Sequence, residues 1–249
     1  MKAVFLIAGR GRRLRPYTDK VPKCMVPLHG TPLLHTALEM TAAAGIREAV
    51  LVVGHMEDVI RETYGEAFAG IRLRYVSNPD YATTNNLYTM WLAREELNED
   101  IVLLEGDLRY DLPVLQDLVS HNAANAAVVD DFRLPMNGTV ILPDPERPGW
   151  SQRMVLGKDQ GDDFPLHQSL KTVNLYRLSG ALLKDHFVPA LQRAVDGERL
   201  GDYYEAILAH LVDNAGVELA ISHVGKHRWA EIDNEADLQF ATELFAPTP

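Results

Sequence analysis

A glycine turn crowded with arginines is the part of the chain whose residue types point most directly to chemistry. An apolar segment, residues 3–8, leads into Gly9 and Gly11, and the surrounding cations are Arg10, Arg12, Arg13 and Arg15. Glycine lets the backbone approach a ligand and take positive φ, and guanidinium groups bind phosphate oxygens in pairs. In a chain of net charge −11, this local concentration of cations predicts a polyphosphate-binding loop.

Two common glycine motifs do not fit this loop. The dinucleotide-binding fingerprint needs a third glycine where Leu14 stands, and an acidic residue at the end of the second strand, where residues 52–55 read Val-Val-Gly-His. The Walker loop needs Gly-Lys-Ser/Thr, which the turn lacks. The alternative is an ordinary strand-to-helix turn in which the arginines serve only solubility. The ordered motifs that follow in the sequence favour phosphate binding.

Carboxylates occur at two later points of the sequence. One predicted strand ends in Glu105-Gly106-Asp107, and ligands of open α/β folds gather at the carboxyl edge of the sheet, so we expect Asp107 beside the glycine loop. Mg²⁺ prefers one or two carboxylates together with phosphate oxygens, which makes Asp107 a candidate ligand. Glu231 and Asp233 are expected on one face of a short strand before the last helix. Asp233 is either a second metal ligand or the N-cap of that helix.

Apolar segments that alternate with helical patterns predict the framework for these residues: a parallel sheet with crossover helices. In the first half the predicted strands are 3–8, 49–53, 73–76 and 101–104, and the predicted helices are 32–44, 56–64 and 85–97, the last capped by Asn85. In the second half the predicted helices are 113–122, 179–195, 201–215 and 234–245, and the predicted strands are 126–130, 138–142, 153–156, 169–178 and 217–223. We predict one domain, 1–249, with a nucleotide-binding half near 1–110 and an acceptor-binding half near 111–249.

Composition limits the class of protein. The 249 residues are 47% hydrophobic, enough for a large core, and the 35 acidic against 24 basic residues argue against nucleic-acid or membrane-surface binding. The first apolar segment is too short for a signal peptide, and a cytoplasmic protein is expected. The single cysteine, Cys24, excludes an internal disulfide; it is either a nucleophile beside Lys23 or, as we favour, a small packed residue.

The ordered motifs resemble the bacterial CTP-dependent phosphocholine and phosphonate cytidylyltransferases, within the sugar-phosphate nucleotidyltransferase superfamily. The superfamily signature is matched by three motifs in order: the glycine loop, residues 9–18, then Pro22-Lys23, then Pro32-Leu33. The cytidylyl branch is matched by residues 85–89, Asn-Asn-Leu-Tyr-Thr. The resemblance implies an α/β fold, a Rossmann-like three-layer α/β/α arrangement with a mostly parallel mixed central sheet. It also implies an Mg²⁺ cofactor and a homodimer.

The resemblance further implies a role for each motif residue. Nucleotide binding falls to Ala8, Gly9, Gly11, Arg13, Asn85 and Asn86; catalysis falls to Arg13 and Lys23; and metal binding falls to Asp107, Asp233 and Glu231. Arg13 would hold the β and γ phosphates, and Lys23 would stabilise charge developing at the α phosphorus.

The acceptor is the part of the function on which the motifs say least. Strand alternation places Lys171 and Val173 on one face of segment 169–178 and Thr172, Asn174 and Tyr176 on the other, and Lys171 would suit an anionic acceptor. An aromatic cage of Tyr88, Trp91 and Trp229 would instead suit a quaternary ammonium, and ordinary core packing is the alternative for all three. The expected reaction is transfer of CMP from CTP to a small phosphonate, such as 2-aminoethyl- or 2-hydroxyethylphosphonate, or to a phosphomonoester such as phosphocholine. The rivals are a sugar-1-phosphate nucleotidylyltransferase using dTTP or UTP and a non-catalytic nucleotide-binding regulatory subunit.

Overall fold

A computed structural model describes residues 1–247 of the chain. Its strands are β1 (Lys2–Leu6), β2 (Pro27–Leu28), β3 (Thr31–Pro32), β4 (Glu48–Val53), β5 (Ala67–Phe68), β6 (Ile71–Ser77), β7 (Ile101–Glu105), β8 (Leu108–Tyr110), β9 (Ala126–Asp131), β10 (Val140–Pro143), β11 (Ser151–Val155), β12 (Leu170–Leu178), β13 (Ala220–His223) and β14 (Trp229–Glu231). Its helices are α1 (Leu33–Ala43), α2 (Glu57–Tyr64), α3 (Asn86–Leu92), α4 (Leu112–Val119), α5 (Gly180–Leu182), α6 (Val188–Asp196), α7 (Glu205–Ala215) and α8 (Glu235–Leu244). A π-helical turn, Leu183–Phe187, joins α5 to α6.

Ten strands form one mixed sheet that runs through both halves of the chain. Its main path is β11-β10-β12-β7-β1-β4-β6-β5, and β9 pairs with both β12 and β13. The centre, β7-β1-β4-β6, is parallel, whereas β12 joins it antiparallel to β7. Buried β1 reads Lys-Ala-Val-Phe-Leu, the near-continuous apolar run expected of a parallel strand covered on both faces.

Helices cover both faces of the sheet and bury two separate apolar cores. Leu38 of α1, Ile60 of α2 and Leu115 of α4 pack in the core on one face. Met90 of α3 and Leu191 of α6 pack in the core on the other, together with α7. The predicted three-layer α/β/α fold is confirmed by this arrangement and by the solved structures described below.

A third, smaller apolar cluster determines where the end of the chain lies. Leu14, from the arginine loop, is fully buried with Ile232 and with Phe245, which follows α8. Strand β14 pairs antiparallel with β8, and the Ile232 amide donates to the Asp107 carbonyl at 2.9 Å. This packing returns residues 231–233 to the glycine loop, more than two hundred residues away in sequence.

The structure differs from the predicted elements at a few boundaries. The helix predicted over 85–97 ends at Leu92 and continues as a 3₁₀ turn, and the helix predicted from 201 begins at Glu205. Strand β8 was not predicted, because three residues carry little periodicity and its partner β14 lies about 120 positions away. Among the described residues, no helix has the length and apolar character needed to cross a membrane.

Candidate active site

A cavity of about 750 Å³ opens where β1 and β7 end. Most of the predicted site residues line it: Ala8, Gly9, Gly11, Arg13, Lys23, Asn85, Asn86, Asp107, Lys171, Glu231 and Asp233. Carboxyl ends of neighbouring parallel strands meet at one edge, and this is why motifs far apart in sequence share the cavity.

The two loop glycines differ in what the backbone requires of them. Gly11 has φ +60°, and a Cβ there would lie 2.8 Å from the Cβ of Lys23. Gly9 does not take positive φ, and a Cβ there would meet nothing within 4 Å. The expectation of positive φ at both glycines was therefore wrong for Gly9. The Ala8 carbonyl accepts the His55 amide at 3.0 Å, which fixes the start of the loop against the next strand.

Lys23 lines the cavity beside the glycine loop and lies between two carboxylates. Its Nζ is 2.5 Å from Asp107 Oδ2 and 2.6 Å from Asp233 Oδ1, and Arg13 Nη2 is 2.8 Å from the other oxygen of Asp233. Burial alone would lower the pKa of Lys23, but the two carboxylates outweigh burial and raise it. Burial likewise opposes ionisation of Asp233, yet Lys23 and Arg13 hold its pKa below the ordinary value. The four charges form one coupled group.

Asp233 is not the cap of the last helix. Asn234 caps α8 by accepting the Asp237 amide, and the Asp237 carboxylate accepts the Asn234 amide in return, which completes a capping box. Because Asn234 does this work, the Asp233 carboxylate is left to contact Lys23 and Arg13. The cap interpretation of Asp233 is therefore wrong, and its role as a second metal ligand stays a prediction.

Three carboxylates come together just beyond this ion group. Oxygen atoms of Glu105, Asp107 and Glu231 lie within 4.8 Å of one another, close enough to share a cation. Burial, and then Glu205, raise the pKa of Glu105 well above its ordinary value; burial also raises that of Glu231, against the opposing charge of Lys171. The predicted trio was Asp107, Glu231 and Asp233, whereas the structure clusters Glu105 with the first two and turns Asp233 toward Lys23.

Gly106 separates Glu105, the last residue of β7, from Asp107, which follows that strand. A Cβ at Gly106 would lie 2.3 Å from Ile7 Cγ2 and 3.0 Å from the Cβ of Cys24, so only glycine fits between these side chains. Cys24 is buried, and burial raises its pKa to about 12, so the thiol stays protonated. The packing interpretation of Cys24 fits this environment, and the nucleophile interpretation does not.

The two asparagines of the 85–89 motif join α3 to the start of α7. Asn85 caps α3 as predicted, since its Oδ1 accepts the Asn86 amide at 2.9 Å, and its Nδ2 donates to the Gly201 carbonyl at 3.3 Å. Asn86 accepts the Tyr204 amide at 2.9 Å and lies 3.4 Å from Glu105 Oε1. Both residues line the cavity, but the polar contacts they make within the protein position other cavity residues.

Strand β12 breaks its alternation inside the cavity. Asn174 has φ +59°, and the register of β12 on β9 shifts between Thr172 and Tyr176. The bulge brings Asn174 to the same cavity as Lys171: Asn174 Nδ2 lies 3.4 Å from Glu231 Oε1 and Lys171 Nζ lies 3.6 Å from Glu231 Oε2. The prediction that these two side chains face opposite ways was wrong, because a bulge reverses the alternation after it.

The predicted aromatic cage does not form. Tyr88 and Trp91 stack on each other at a centroid separation of 5.4 Å, and neither lines the cavity. Trp229 lies behind the cavity wall, where its Nε1 donates to Asp130 at 2.8 Å and its ring centroid is 6.0 Å from Lys171 Nζ. Trp91 Nε1 donates to Gln192 Oε1 of α6 at 2.9 Å. The packing alternative fits Trp91, which packs against the core on this face of the sheet, whereas Tyr88 is half-buried and stacks on Trp91. Trp229 contacts Lys171 from outside the cavity lining.

Sequence reasoning missed two carboxylates that line the cavity. Glu105 is the last residue of β7, and its place in the Glu-Gly-Asp triplet was a usable signal. Glu205 is the first residue of α7, where acidic residues are common for reasons of helix polarity alone, so nothing in the sequence singled it out.

A cavity that gathers a cation-rich loop and a carboxylate cluster at the carboxyl edge of an α/β sheet is the arrangement expected of a nucleotidyltransferase. The chain belongs to the MobA-like NTP transferase domain family, whose model matches residues 3–154. Membership of this class confirms the resemblance seen in the glycine loop and the motifs after it.

Two relatives carry the likeness over nearly the whole chain, and a third matches a shorter stretch of it. A CMP-5'-(3-aminopropyl)phosphonate synthase of Streptomyces rubellomurinus is 36% identical over 248 residues, 99% of this chain and 39% of that protein. A choline-phosphate cytidylyltransferase of Streptococcus pneumoniae is 37% identical over 106 residues, 41% of this chain and 43% of that protein. A CTP:phosphoglutamine cytidylyltransferase of Campylobacter jejuni is 29% identical across 98% of this chain and all of that protein. The matched regions are about two fifths of the length of the first two relatives.

Solved structures show the same fold at low identity. The CTP:phosphocholine cytidylyltransferase of Streptococcus pneumoniae superposes with a TM-score of 0.75 at 22% identity, covering 97% of both chains. The inositol-1-phosphate CTP transferase of T. maritima superposes with a TM-score of 0.75 at 20% identity, covering 100% of this chain and 97% of that one.

Proposed function

We propose that this protein transfers CMP from CTP to a small phosphonate or phosphomonoester and releases pyrophosphate. The observation that carries the proposal is Lys23, held between Asp107 and Asp233 at the mouth of a glycine loop whose Arg13 joins the same ion group. A lysine and an arginine gathered with carboxylates that could hold a metal ion suit phosphoryl-group chemistry better than simple nucleotide storage. The named relatives whose likeness spans nearly the whole chain support cytidylyl transfer in particular.

The transfer balances without a covalent enzyme intermediate. An anionic oxygen of the acceptor attacks the α phosphorus of CTP, a new P–O–P bond forms, and the bond between the α phosphorus and the bridging oxygen breaks. Pyrophosphate takes the electron pair of that bond. The attacking oxygen is already ionised at neutral pH, so no general base is required, and positioning and charge stabilisation supply the catalysis.

The chain's own residues provide that positioning. The backbone at Gly11 can lie against the triphosphate because its φ is positive and it has no Cβ. Arg13 is largely exposed at the cavity mouth and can turn from Asp233 to the β and γ phosphates. Lys23 lies deeper and can move from its two carboxylates to the α phosphate, where negative charge grows in the transition state.

The acidic cluster fits a divalent cation. The Oδ1 atom of Asp107 is buried and has no hydrogen-bond partner within the described structure, and oxygens of Glu105 and Glu231 lie within 4.8 Å. We propose that Asp107 and Glu231, with Glu105 or Asp233, hold Mg²⁺. When bound, Mg²⁺ would neutralise triphosphate charge and polarise the attacked phosphorus.

Lys171 is the proposed contact for the anionic end of the acceptor. It is buried, lines the cavity and touches Glu231 at 3.6 Å. In Lys171→Ala, loss of one charge-assisted contact should raise the acceptor KM about tenfold or more, with CTP affinity little changed. Lys184→Ala, which removes an exposed lysine outside the cavity, is the matched control. An equal loss of CTP affinity in Lys171→Ala would place Lys171 on the nucleotide instead.

A panel of nucleotides and acceptors tests the function directly. Each of CTP, UTP, dTTP, GTP and ATP is incubated with Mg²⁺ and with 2-aminoethylphosphonate, 2-hydroxyethylphosphonate, phosphocholine or glucose 1-phosphate. Pyrophosphate release is measured, and the product is identified by ³¹P NMR. We expect turnover with CTP and one of the phosphonates or phosphocholine. Turnover with dTTP or UTP and glucose 1-phosphate would overturn the proposal, as would nucleotide binding without any turnover.

A further inference from the structure

Lys158 is a cavity cation to which the proposed reaction gives no role. Its side chain is exposed and lines the cavity, and it makes no ion pair within the part of the chain that the structure describes. A lysine ammonium carries three N–H donors and no acceptor, so one that faces a cavity without an acidic partner suits an anionic ligand. The anions of the proposed reaction are CTP, the acceptor and pyrophosphate.

The turn that carries Lys158 packs against a neighbour of Lys171. It is a 3₁₀ turn just after β11, and the Nε2 atom of Gln160 ties it to the Gly138 carbonyl at 2.8 Å. A Cβ at Gly157 would lie 3.2 Å from the Gly138 Cα, so the two backbones are in close contact. Gly138 also borders Lys171, whose Nζ would lie 3.4 Å from a Cβ at Gly138. Lys158 and Lys171 therefore belong to the same wall of the cavity.

This wall is separate from the glycine loop. The loop follows β1, whereas Lys158 follows β11 at the edge of the sheet, and β10, β12 and β7 lie between those two strands. Arg12 also lines the cavity and makes no ion pair among residues 1–247, but it belongs to the glycine loop and so to the triphosphate side. Lys158 is instead placed for the acceptor.

Lys171 alone does not balance the charge of the acceptor. A phosphonate or phosphate ester carries up to two negative charges near neutral pH. The single charge of Lys171 is already shared with Glu231 at 3.6 Å, and its ammonium also donates to the Thr172 carbonyl at 2.6 Å. A dianion bound against Lys171 therefore needs a second cation from the same wall.

We infer that Lys158 is a second acceptor-binding residue, which pairs with the phosphonate or phosphate group beside Lys171. This inference rests on the proposed function and adds to it a selection by charge. The acceptor site should prefer doubly charged phosphonates and phosphate esters to singly charged anions of similar shape. Because Lys158 is exposed, its contribution is that of a contact at the cavity rim, smaller than that of a buried pair.

Two probes of similar shape and different charge test this selection. Propylphosphonate is close to doubly charged at pH 8, whereas propanesulfonate carries one negative charge. Their dissociation constants are measured by NMR titration of the protein loaded with Mg²⁺ and α,β-methylene-CTP, a nucleotide that cannot release pyrophosphate. The wild-type protein should bind the phosphonate at least tenfold more tightly than the sulfonate, and Lys158→Ala should lower that ratio about fivefold.

Two further variants separate charge from structure. Lys158→Arg keeps the positive charge and should keep the ratio within about twofold of wild type. Lys184→Ala removes an exposed lysine outside the cavity lining and should leave the ratio unchanged. A merely structural defect in Lys158→Ala would weaken binding of both probes and leave their ratio as it is in wild type.

A probe ratio in Lys158→Ala within twofold of wild type would overturn the inference. Equal binding of the two probes by the wild-type protein, or binding of neither, would do so as well. A higher KM for pyrophosphate in the reverse reaction of Lys158→Ala, with the probe ratio unchanged, would place Lys158 on the leaving group and overturn the inference too. Absence of CMP transfer to every acceptor of the panel would instead refute the proposed function, and that result comes from a different assay.

Discussion

Replacing Lys23 with alanine is the sharpest test of the active-site assignment. The change removes a cation whose Nζ lies 2.5 Å from Asp107 and 2.6 Å from Asp233. If this charge moves to the α phosphate in the transition state, its loss should lower kcat at least a hundredfold. That factor corresponds to about 2.7 kcal/mol of transition-state stabilisation, the amount typical of one oxyanion-stabilising donor. CTP binding should remain measurable, because Arg13 and the loop backbone stay in place.

The same variant should also lose stability. Removing one partner of a buried ion pair costs about 3–5 kcal/mol. The three side chains are between 14% and 26% exposed, and Arg13 still contacts Asp233, so we expect about 2 kcal/mol at pH 7. The native protein depresses the pKa of Asp233, so this stabilisation exists above the ordinary carboxyl pKa and is lost as pH falls below about 4. The stability difference between wild type and variant should therefore shrink in acid.

Three measurements check this prediction. Pyrophosphate release gives kcat, calorimetry gives the CTP dissociation constant, and urea unfolding at pH 7 and at pH 3.5 gives the stability difference. Lys20→Ala, which removes an exposed lysine just before the Pro-Lys motif, is the matched control and should change none of the three. Turnover of Lys23→Ala within threefold of wild type would refute the catalytic role of Lys23.

Three further changes test other parts of the site. Asp107→Asn keeps the side-chain volume but removes the charge, so Mg²⁺-dependent pyrophosphate release should fall at least a hundredfold. An unchanged dependence of the rate on Mg²⁺ concentration would exclude Asp107 as a metal ligand. Gly106→Ala places a Cβ 2.3 Å from Ile7 Cγ2 and should lower the free energy of unfolding by about 1–3 kcal/mol. The control Gly161→Ala, whose Cβ would meet nothing within 4 Å, should change the free energy of unfolding little. Equal urea midpoints for the two variants would contradict the packing argument. The pKa of Glu205 rises from 4.5 to about 7 on folding, so wild-type stability should fall as pH rises through that interval. Glu205→Gln removes this loss and should gain up to about 3 kcal/mol relative to wild type between pH 4.5 and pH 8; parallel stability curves would show that the carboxyl titrates normally.

Local sequence signals were enough to predict the parallel centre of the sheet and the residues at its carboxyl edge. Apolar runs with short helical segments between them predicted the parallel centre of the sheet, because strands buried on both faces must be apolar throughout. The glycine loop follows β1 and Asp107 follows β7, so parallel pairing of these two strands brings them to one edge. Lys23 was found through its Pro-Lys motif, since it lies in a turn well beyond the end of β1. Asn85 likewise caps α3 through a contact to the next residue.

Contacts between distant segments decided the rest. The sequence left Asp233 as either a helix cap or a metal ligand. The pairing of β14 with β8 places Asp233 at the cavity, and Asn234 is the residue that caps α8. Lys171 and Asn174 share the cavity only because β12 bulges, and a single-residue change of register reverses every later side chain on a strand. Glu205 carries no local signal at all, since its burial and its unpartnered oxygen arise where α7 meets the end of β7. Strand periodicity and loop composition are properties of neighbouring residues and can be read in sequence, whereas the charge balance of a cavity depends on which distant side chains the tertiary fold brings within a few ångströms of one another.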